Sequence, residues 1–276
     1  MARPSSPGTR IRRYQDGGWS GDDDLVAAEE PLQLLLDGEP LSIVMRTPGS
    51  DLELALGLLF AERVITGFDD VERVRISAEA GESERGFPLE PDLIESNQVD
   101  VHVRNVRRRP DRSFLQTSAC GVCGATTVES LALDHAPLLP GPKIDPDLLP
   151  PLPDRLRGGQ TVFDLTGGLH AAGLFDEGGR LLMLREDVGR HNAVDKVVGR
   201  LVLAGGLPAS RSLLVVSGRA GYEIVQKAVA AGIPLVAAVG APTSLAVATA
   251  ERFGMTLVGF LRRGRFNVYS DRDRLR

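Results

Sequence analysis

The sequence predicts an α/β fold, and the C-terminal half carries the observations that predict it. Leu213, Leu235 and Leu257 lie 22 residues apart, each within an apolar segment that follows a short turn. Helical segments separate these three apolar segments. Short βα units whose strands are apolar throughout form parallel sheets that are covered on both faces. We therefore expect a parallel sheet between layers of helices in this half, beside a smaller N-terminal α+β part.

The bulk composition is that of an ordinary globular protein and argues against several classes of function. The chain has 276 residues, of which 42% are hydrophobic and 25% charged, with a formal net charge of −5. This charge gives no general attraction to nucleic acid or to a membrane, so we expect neither as a partner. Residues 54–60, the longest apolar stretch, are too few to span a bilayer, and residues 1–13 lack the apolar core of a secretory signal. With only two cysteines, a reducing, cytoplasmic location fits best.

The first part of the chain is predicted to be a tail followed by an α+β subdomain. Residues 1–22 are rich in Pro, Gly, Ser and Arg, which is typical of a flexible tail. In the subdomain, residues 23–115, Ser50-x-x-Glu53 is a capping box before a buried helix expected over residues 52–65. The strands expected here cover residues 25–28, 32–36, 41–46, 71–76 and 99–103, with a hairpin turn over Asp37-Gly38-Glu39-Pro40.

Residues 116–157 contain both cysteines and a connector. The cysteine segment, residues 117–127, reads Thr-Ser-Ala-Cys-Gly-Val-Cys-Gly-Ala-Thr-Thr, and a capping box after it opens a predicted helix over residues 128–134. A helix N-terminus beside the thiols would lower their pKa and favour the thiolate. An arginine-rich run over residues 104–112 precedes this segment, and a proline-rich connector over residues 137–153 follows it.

Residues 158–276 form the predicted C-terminal α/β domain. We expect helices over residues 222–231 and 243–253, and an earlier helix that has Asn192 as its N-cap. The expected strands cover residues 162–165, 170–175, 181–186, 213–217, 234–239 and 255–261.

The segments that follow the last three strands combine glycine, hydroxyl and arginine side chains. They cover residues 217–221, 240–244 and 262–265. Parallel strands bring their carboxyl ends to one edge of a sheet, where ligands bind. These segments therefore predict a site for phosphate or pyrophosphate. Neither GxGxxG nor a Walker A motif is present, so no standard dinucleotide or P-loop site is expected.

Cys120 and Cys123 leave three chemistries open. A structural zinc site needs four ligands, and the four histidines show no paired spacing, so we expect no protein-bound metal. A CxxC at a helix start suits disulfide exchange, although the sequence around it does not predict a thioredoxin fold. A thiolate of low pKa can also attack a sulfur donor and hold the sulfur as a persulfide. The flanking glycines leave the backbone bare, so that such a loop can enter another protein.

A second group of polar residues lies in the C-terminal half. The run over residues 186–192, Glu-Asp-Val-Gly-Arg-His-Asn, is denser in polar groups than a turn requires and favours a ligand-binding role. His170 invites a comparison with zinc deaminases, which use H-x-E before P-C-x-x-C. Here Ala172 replaces the glutamate and the CxxC precedes the histidine, so deaminase chemistry is not expected. The same sheet architecture remains open.

Seven stretches, in the expected order, closely resemble the FdhD family, the sulfur carrier proteins needed to activate formate dehydrogenases. The resemblance extends from about residue 25 to residue 270. It departs at Ala119, where the family often has serine, and at Leu169, where threonine is common. The N-terminal tail lies outside it. The matching stretches are residues 45–49, 53–57, 117–124, 166–170, 186–196, 217–219 and 260–267.

The resemblance implies both a fold and a reaction. The fold is a cytidine-deaminase-like α/β/α three-layer sandwich in the C-terminal half, without its zinc, with a smaller N-terminal α+β subdomain. The reaction is that of a sulfurtransferase, which receives sulfane sulfur from a cysteine desulfurase and carries it as a cysteine persulfide. The acceptor is the bis-molybdopterin guanine dinucleotide cofactor of formate dehydrogenase. A homodimer is also implied.

The same resemblance implies where the acceptor binds. Family members hold the cofactor, or a GDP or GMP-like nucleotide that stands in for it, partly through the segment matching residues 260–265. We expect Cys120 to carry the persulfide and Cys123 to assist or to share the role. Two other functions stay open, a thiol-disulfide oxidoreductase and a non-catalytic chaperone that only delivers cofactor. The residues expected to bind the cofactor are Phe260, Leu261, Arg262, Arg263, Gly264, Arg265, Arg219, His191 and Asn192.

Overall fold

Two six-stranded β-sheets, one from each half of the chain, frame the protein. The computed structural model describes residues 5–78, 81–84, 97–104, 114–116 and 135–276. The cysteine segment and the helix predicted after it lie outside the described residues. The arginine-rich run and the loop predicted around residues 79–98 are described only in part.

A β-hairpin occupies most of the predicted flexible tail, so that prediction is wrong from residue 8 onward. Strands β1 (Gly8–Gln15) and β2 (Gly18–Leu25) pair antiparallel around Asp16 and Gly17. The φ angles of these two turn residues are 53° and 84°. A two-residue type I′ turn requires positive φ at both positions, and Asp-Gly is a preferred pair for it. The local turn signal therefore outweighs a composition that is typical of disorder.

Six strands between residues 30 and 116 form the N-terminal sheet. They are β3 (Glu30–Leu36), β4 (Glu39–Arg46), β5 (Val71–Ala78), β6 (Gly81–Glu84), β7 (Gln98–Val103) and β8 (Phe114–Gln116). Their spatial order is β6-β5-β7-β3-β4-β8. The predicted turn at Asp37 and Gly38 joins β3 to β4, again with positive φ at both residues. Helix α1 (Asp51–Ala61) packs on this sheet and buries nearly every residue, as its continuous apolar pattern predicts.

The C-terminal sheet has three parallel strands at its centre. Its strands are β9 (His170–Asp176), β10 (Leu181–Asp187), β11 (Ser212–Val216), β12 (Leu235–Ala238), β13 (Thr256–Arg262) and β14 (Arg265–Ser270). They lie in the order β10-β9-β11-β12-β13-β14, and β11, β12 and β13 run parallel. Leu213 lies directly opposite Leu235, whereas Leu257 lies opposite Val236, so the 22-residue spacing matches the register of β11 and β12 only.

Helices cover both faces of the C-terminal sheet. They are α2 (Leu152–Arg157), α3 (Thr161–Thr166), α4 (Arg190–Leu203), α5 (Tyr222–Ala230) and α6 (Ser244–Phe253). Helix α2 and residues of the proline-rich connector pack on one face, whereas α4, α5 and α6 pack on the other. This arrangement confirms the predicted α/β class, with a three-layer sandwich beside an α+β subdomain. Within the described residues, no helix is both long enough and apolar enough to cross a bilayer.

Helix α3 replaces the strand predicted over residues 162–165. The backbone N–H groups of Val162 and Phe163, in the first turn of α3, donate to the carboxylate of Glu186 at 3.0 and 2.9 Å. A carboxylate at a helix N-terminus satisfies free N–H groups and interacts favourably with the helix dipole. Because Glu186 lies on the neighbouring strand β10, this stabilisation depends on the tertiary structure.

Two predicted capping interactions are also wrong. Ser50 is the N-cap of α1, but it has a φ of 56° and makes no side-chain capping bond. Glu53 pairs with Arg185 on β10 at 2.5 Å instead of completing the capping box. Helix α4 begins at Arg190 with Gly189 as its N-cap, so Asn192 lies within its first turn. The local pattern assigned Glu53 and Asn192 to caps. In the structure each side chain binds a residue from the other half of the chain instead.

Helices α1 and α4 cross at two glycines and thereby join the two halves of the protein. A Cβ atom on Gly57 of α1 would lie 2.0 Å from the carbonyl oxygen of Asp195. A Cβ atom on Gly199 of α4 would lie 1.8 Å from the carbonyl oxygen of Glu53. These distances are far inside van der Waals contact, so only glycine permits this crossing.

Candidate functional site

The carboxyl ends of β11, β12 and β13 lie side by side at one edge of the sheet. The backbone N–H of Gly240 donates to Gly218 O at 3.0 Å, and that of Phe260 donates to Gly240 O at 3.0 Å. A Cβ atom on Gly240 would lie 2.9 Å from Gly218 O and 3.0 Å from Arg219 Cα. Glycine at position 240 therefore lets the loops after β11 and β12 touch, which brings Arg219 close to the end of β13.

The turn between β13 and β14 carries the three predicted arginines. Arg262 lies opposite Arg265 in the register, and Gly264 adopts a φ of 73° in the turn. Arg263 Nε donates to Asp154 Oδ2 of α2 at 2.7 Å, although the two side chains are 86% and 54% exposed. An ion pair this exposed contributes little to stability, and another anion can readily replace Asp154 as the partner of Arg263. We call residues 262–265 the arginine hairpin, since its guanidinium groups suit phosphate oxygens.

Phe260 and Leu261, which precede the arginine hairpin, differ in their surroundings. Phe260 is 38% exposed and has a φ of 52°, in the left-handed region. A non-glycine residue held there stores on the order of 1–3 kcal/mol of strain, and such residues cluster at ligand sites. Leu261 is fully buried and belongs to the core between the sheet and α2. Its side chain therefore packs in the core and does not face the site.

A cavity of about 560 Å³ opens beside these strand ends, between the sheet and helices α2 and α3. Apolar side chains supply much of its wall, and its polar groups are few. The apolar residues of the lining include Leu156, Phe163 and Val239. Its polar residues include Gln160, His170 and Ser217. A volume between roughly 300 and 1,000 Å³ with this kind of lining is typical of small-molecule sites.

Two hydrogen-bond donors in this region have no partner within the described part of the chain. Gln160 is 3% exposed, and its Nε2 is one of them. Arg190 Nε is the other. Arg190 lies near the cavity, because a Cβ atom on Gly218 would be 3.5 Å from Arg190 Cδ and 3.4 Å from His170 Nδ1. A buried donor without a partner is destabilising by about 1–3 kcal/mol, so both atoms suit an acceptor supplied by a ligand.

His170 presents a neutral imidazole to the cavity. Burial lowers its pKa below the ordinary value, and the positive charge of Arg190 lowers it further, while Asp187 opposes this shift. A neutral imidazole offers one donor and one acceptor. Ser217, the next polar group of the lining, accepts a hydrogen bond from the backbone N–H of Ala171 at 2.9 Å.

The side chains of His191 and Glu223 lie next to each other at the first turns of α4 and α5. His191 Nδ1 lies 3.2 Å from Glu223 Oε2, and the side chains are 15% and 17% exposed. Burial is the main cause, and the nearby positive charges of Arg190 and Lys227 add to it, so that together they lower the pKa of His191 to about 3. Burial raises the pKa of Glu223 to about 7, against the opposing charge of Lys227. Near neutral pH the imidazole of His191 is therefore neutral, and the carboxyl group of Glu223 is only partly ionised.

Replacing Glu223 with glutamine should make stability less sensitive to rising pH. The folded-state pKa of Glu223, about 7, lies above its value of 4.5 in the unfolded chain. Stability from the protonated group is thus present below the unfolded value and is lost as pH rises through the folded value. The free energy of unfolding of Glu223→Gln, minus that of the wild type, should grow between about pH 5 and pH 8, by roughly 1–3 kcal/mol.

The measurement is urea denaturation at several pH values across that range. Glu251→Gln, on the exposed surface of α6, is the matched control for exchanging glutamate with glutamine and should change stability by no more than about 0.5 kcal/mol. A difference for Glu223→Gln that stays constant across the pH range would contradict the raised pKa.

The structure places the predicted site residues in different surroundings. The arginine hairpin, Phe260 and Arg219 lie at the same sheet edge, with the His191–Glu223 pair beside them. Asn192 is buried, and its Nδ2 donates to Met45 O at 2.8 Å and to Asp187 Oδ1 at 2.9 Å, so it joins the two halves of the chain. Cys120 and Cys123 lie outside the described residues.

Sequence reasoning missed two residues of this region, Gln160 and Glu223. Gln160 follows a short helix, and no local pattern marks it as buried. Glu223 lies in the first turn of α5, the helix that follows the loop at the carboxyl end of β11. That position, rather than its residue type, is the signal that could have identified it.

Comparison with known proteins identifies relatives along nearly the whole chain. The model of the FdhD/NarQ family matches residues 27–276. A protein of Streptomyces avermitilis named sulfur carrier protein FdhD is 46% identical, over 96% of this chain and 94% of its own length. A protein of the same name from Sulfolobus acidocaldarius is 42% identical, over 96% of this chain and 97% of its own length.

A solved structure has a similar fold. It is the crystal structure of a proposed formate dehydrogenase accessory protein from Desulfotalea psychrophila, with a TM-score of 0.75 and 24% sequence identity. The similarity covers 99% of this chain and 100% of the other. At this identity the likeness bears on the fold alone.

Proposed function

This chain belongs to the FdhD/NarQ family, and from that premise we propose that it is a sulfur carrier for a molybdenum cofactor. The observation that carries the proposal is its similarity, over nearly its whole length, to proteins named sulfur carriers. The donor would be a cysteine desulfurase. The acceptor would be the bis-molybdopterin guanine dinucleotide cofactor, and the client enzyme a formate dehydrogenase.

The sulfur would travel on Cys120 as a persulfide. The Cys120 thiolate attacks the outer sulfur of the persulfide on the desulfurase. A bond forms between Cys120 Sγ and that sulfur, while the sulfur–sulfur bond of the donor breaks and the donor cysteine leaves as a thiolate. This exchange needs no outside oxidant or reductant. Cys123, which Gly121 and Val122 separate from Cys120, assists in discharging the sulfur or shares the role of Cys120.

The arginine hairpin would hold the pyrophosphate of the acceptor cofactor. Its guanidinium groups are exposed. Arg263 forms an exposed ion pair with Asp154, and an anionic ligand can displace Asp154 from it. Arg219 and Arg190 add positive charge along the same sheet edge, where Arg190 Nε has no partner among the described residues. The exposed ring of Phe260 lies next to the hairpin and suits stacking on the guanine base.

Replacing Cys120 with alanine should abolish sulfur loading. The full-length protein is incubated with a cysteine desulfurase and labelled cysteine, and its intact mass is measured. The wild type should gain one sulfur atom that a thiol reductant removes, since a persulfide is reducible. Cys120→Ala should gain none, and Cys123→Ala, the matched control, should still gain one.

The other outcomes separate the competing functions. Loading that persists in Cys120→Ala and disappears in Cys123→Ala would reverse the order of the thiols. A reversible Cys120–Cys123 disulfide without any gain of sulfur would identify a thiol-disulfide oxidoreductase. Undiminished formate dehydrogenase activation by a variant without both cysteines would identify a delivery chaperone.

A further inference from the structure

The β1–β2 hairpin at the N-terminus carries a basic strand edge, and we propose that this edge docks an extended acidic segment of the client enzyme. The client is the formate dehydrogenase of the proposed function, so the inference rests on that function. The hairpin is distinct from the candidate site at the strand ends. It also precedes the residues that the family model matches, which begin at residue 27.

The hairpin projects from the rest of the protein as a sheet of its own. Among the described residues, β1 pairs with β2 alone, so the other edge of β1 is open. Every residue of 8–25 is exposed except Ile11 and Leu25, which are partly buried. A lone two-stranded hairpin is only marginally stable in water. An extended segment of a partner can add to such an open edge as a third strand.

Hydrogen bonds at the base of the hairpin fix where it stands. The backbone N–H of Val26 donates to Pro7 O at 3.0 Å, and that of Ala28 donates to Ser5 O at 2.9 Å. The hydroxyl of Thr47 donates to Ala28 O at 3.0 Å and ties the base to the N-terminal subdomain. The hairpin is therefore a projection with an anchored base rather than a loose tail.

The base of the hairpin lies beside the candidate site. A Cβ atom on Gly168 would lie 3.1 Å from Ala27 Cβ, and β2 contacts helix α3. Gly168 and Phe163 of α3 both line the cavity. A protein held on the hairpin is thus next to the place that the proposed function assigns to the cofactor. Of the two proteins in that function, the client is the one that receives the cofactor, so this position favours the client.

Positive and negative charge are divided between the two strands. Arg10 lies opposite Asp23 in the register, and Arg13 Nη1 lies 2.9 Å from Asp22 Oδ2. On one side, β1 is therefore already paired with an acidic strand. Opposite charges across neighbouring strands are stabilising, and like charges are destabilising. A second acidic strand thus suits the open edge of β1 and is repelled from that of β2. The charged residues are Arg10, Arg12 and Arg13 on β1, and Asp22, Asp23 and Asp24 on β2.

The same charges argue against a second copy of this chain as the occupant. In a symmetric dimer β1 would pair with β1, and arginines would face arginines. Pairing of β1 with β2 of another copy is head-to-tail and leads to open chains. The edge is also short, since the eight residues of β1 span about 26 Å. One extended segment fits this length, whereas a stable dimer buries about 800 Å² per partner.

An aromatic pair lies on the face that carries Arg10 and Arg12. Tyr14 and Trp19 are opposite each other, with ring centres 5.1 Å apart, and are 61% and 63% exposed. The guanidinium of Arg12 lies 4.8 Å from the centre of the Trp19 ring. Tryptophan, tyrosine and arginine supply most of the binding energy at many protein interfaces. This face therefore offers a contact for a side chain of the docked segment, next to the charged edge.

The first test uses Trp19, the only tryptophan of the chain, as a fluorescent reporter of the hairpin. The probe is an eight-residue peptide of alternating glutamate and threonine, titrated into the full-length protein. We expect the emission of Trp19 to change with this peptide and not with the matched peptide of lysine and threonine. In the charge-reversed variant, Arg10→Glu with Arg12→Glu, the preference should reverse. Equal responses of the wild type to both peptides, or none to either, would overturn the proposal.

The second test measures activation of the client. Formate dehydrogenase that lacks its activation is mixed with sulfur-loaded protein, and its activity is followed against the concentration of that protein. The charge-reversed variant should need a roughly tenfold higher concentration for half-maximal activation and should reach the same maximum. Added salt should reduce the difference, because exposed charges are screened. Trp19→Ala should also raise the concentration needed, without any change of charge.

Arg180→Glu with Arg252→Glu is the matched control. It makes the same change in net charge at two exposed positions away from the hairpin and should leave activation unchanged. Thermal unfolding and GDP binding of each variant check that the rest of the protein is intact. Activation by the charge-reversed variant that equals that of the wild type would refute the docking edge.

Sulfur loading on the same preparations identifies the partner. Loading by the desulfurase should be unaffected in the charge-reversed variant. If loading instead needs more desulfurase, the hairpin binds the donor, and the assignment to the client is wrong. A wild type that sediments as chains, with a charge-reversed variant that does not, would assign the edge to a second copy. A wild type that takes up no sulfur would refute the proposed function, and the peptide titration would still decide the acidic edge.

Discussion

Gly199→Ala should lower the free energy of unfolding by roughly 3 kcal/mol. Alanine normally stabilises a helix by about 1 kcal/mol relative to glycine, so the helix propensity alone predicts the opposite sign. The clash decides, because the new Cβ atom would lie 1.8 Å from the carbonyl oxygen of Glu53. Helix α1 is buried along its length and has no room to retreat. Urea denaturation of the purified variant measures the effect.

Gly67→Ala is the control for this substitution. Gly67 has an extended φ of −178°, and nothing lies within 4 Å of the Cβ atom it would gain. Its effect should stay within about 0.5 kcal/mol. Equal effects of the two substitutions would show that α1 and α4 do not cross as closely as described.

Asp187→Ala should lower the free energy of unfolding by about 3–5 kcal/mol. Lys196 Nζ lies 2.8 Å from Asp187 Oδ2, with side chains that are 2% and 0% exposed. Asp187 also accepts from the backbone N–H of Thr47 at 3.2 Å and of Gly189 at 2.8 Å. Removing the carboxylate leaves a buried ammonium group whose remaining acceptors are backbone carbonyls, among them that of Thr47. Breaking one partner of a buried pair is far more destabilising than the pair is stabilising.

A double-mutant cycle with Lys196→Met tests the cause. The loss in the double variant should be smaller than the sum of the two single losses, because no unpaired charge remains. Glu177→Ala, which breaks the exposed pair between Glu177 and Arg211, should change stability by no more than about 1 kcal/mol. Strictly additive losses at Asp187 and Lys196 would mean that the two charges do not interact.

The parallel strands were predictable because their signal is local. Apolar runs such as residues 213–216 carry the strand pattern within themselves, and the 22-residue repeat shows that the units are alike. The hairpin turn at Asp37-Gly38 was predictable for the same reason, since a two-residue turn needs positive φ and these residues permit it. Asp16-Gly17 carries an identical signal, and only the surrounding tail-like composition obscured it.

The errors fall where a distant residue decides a local structure. A six-residue segment with a valine and a phenylalanine fits a short strand as well as a helix. Thr161–Thr166 is helical with its first turn held by Glu186, which lies outside any local window. Likewise, Glu53 is drawn away from a cap by Arg185, 132 residues further along the chain. Such pairs become visible only when the two halves are packed together.

In the candidate site, too, the parts with a local sequence signal were predictable and the parts formed by distant residues were not. The arginine hairpin was predictable because it is a cluster in sequence at the end of a predicted strand. The cavity was not, because its wall joins α2, α3 and the ends of β9, β11 and β12. Gln160 could be recognised as part of this site only from the structure, where it is buried and its Nε2 lacks a partner among the described residues.

The glycine crossing of α1 and α4 also decides how the molecule comes apart. Val202 of α4 belongs to the core of the N-terminal sheet, and Phe60 of α1 packs against the cores on both sides. Neither half therefore has a complete hydrophobic core of its own. Separating the two halves would expose apolar surface on each. We therefore expect the two six-stranded sheets to unfold together as one cooperative unit. On the same ground, neither half is expected to fold as an independent module when it is expressed alone.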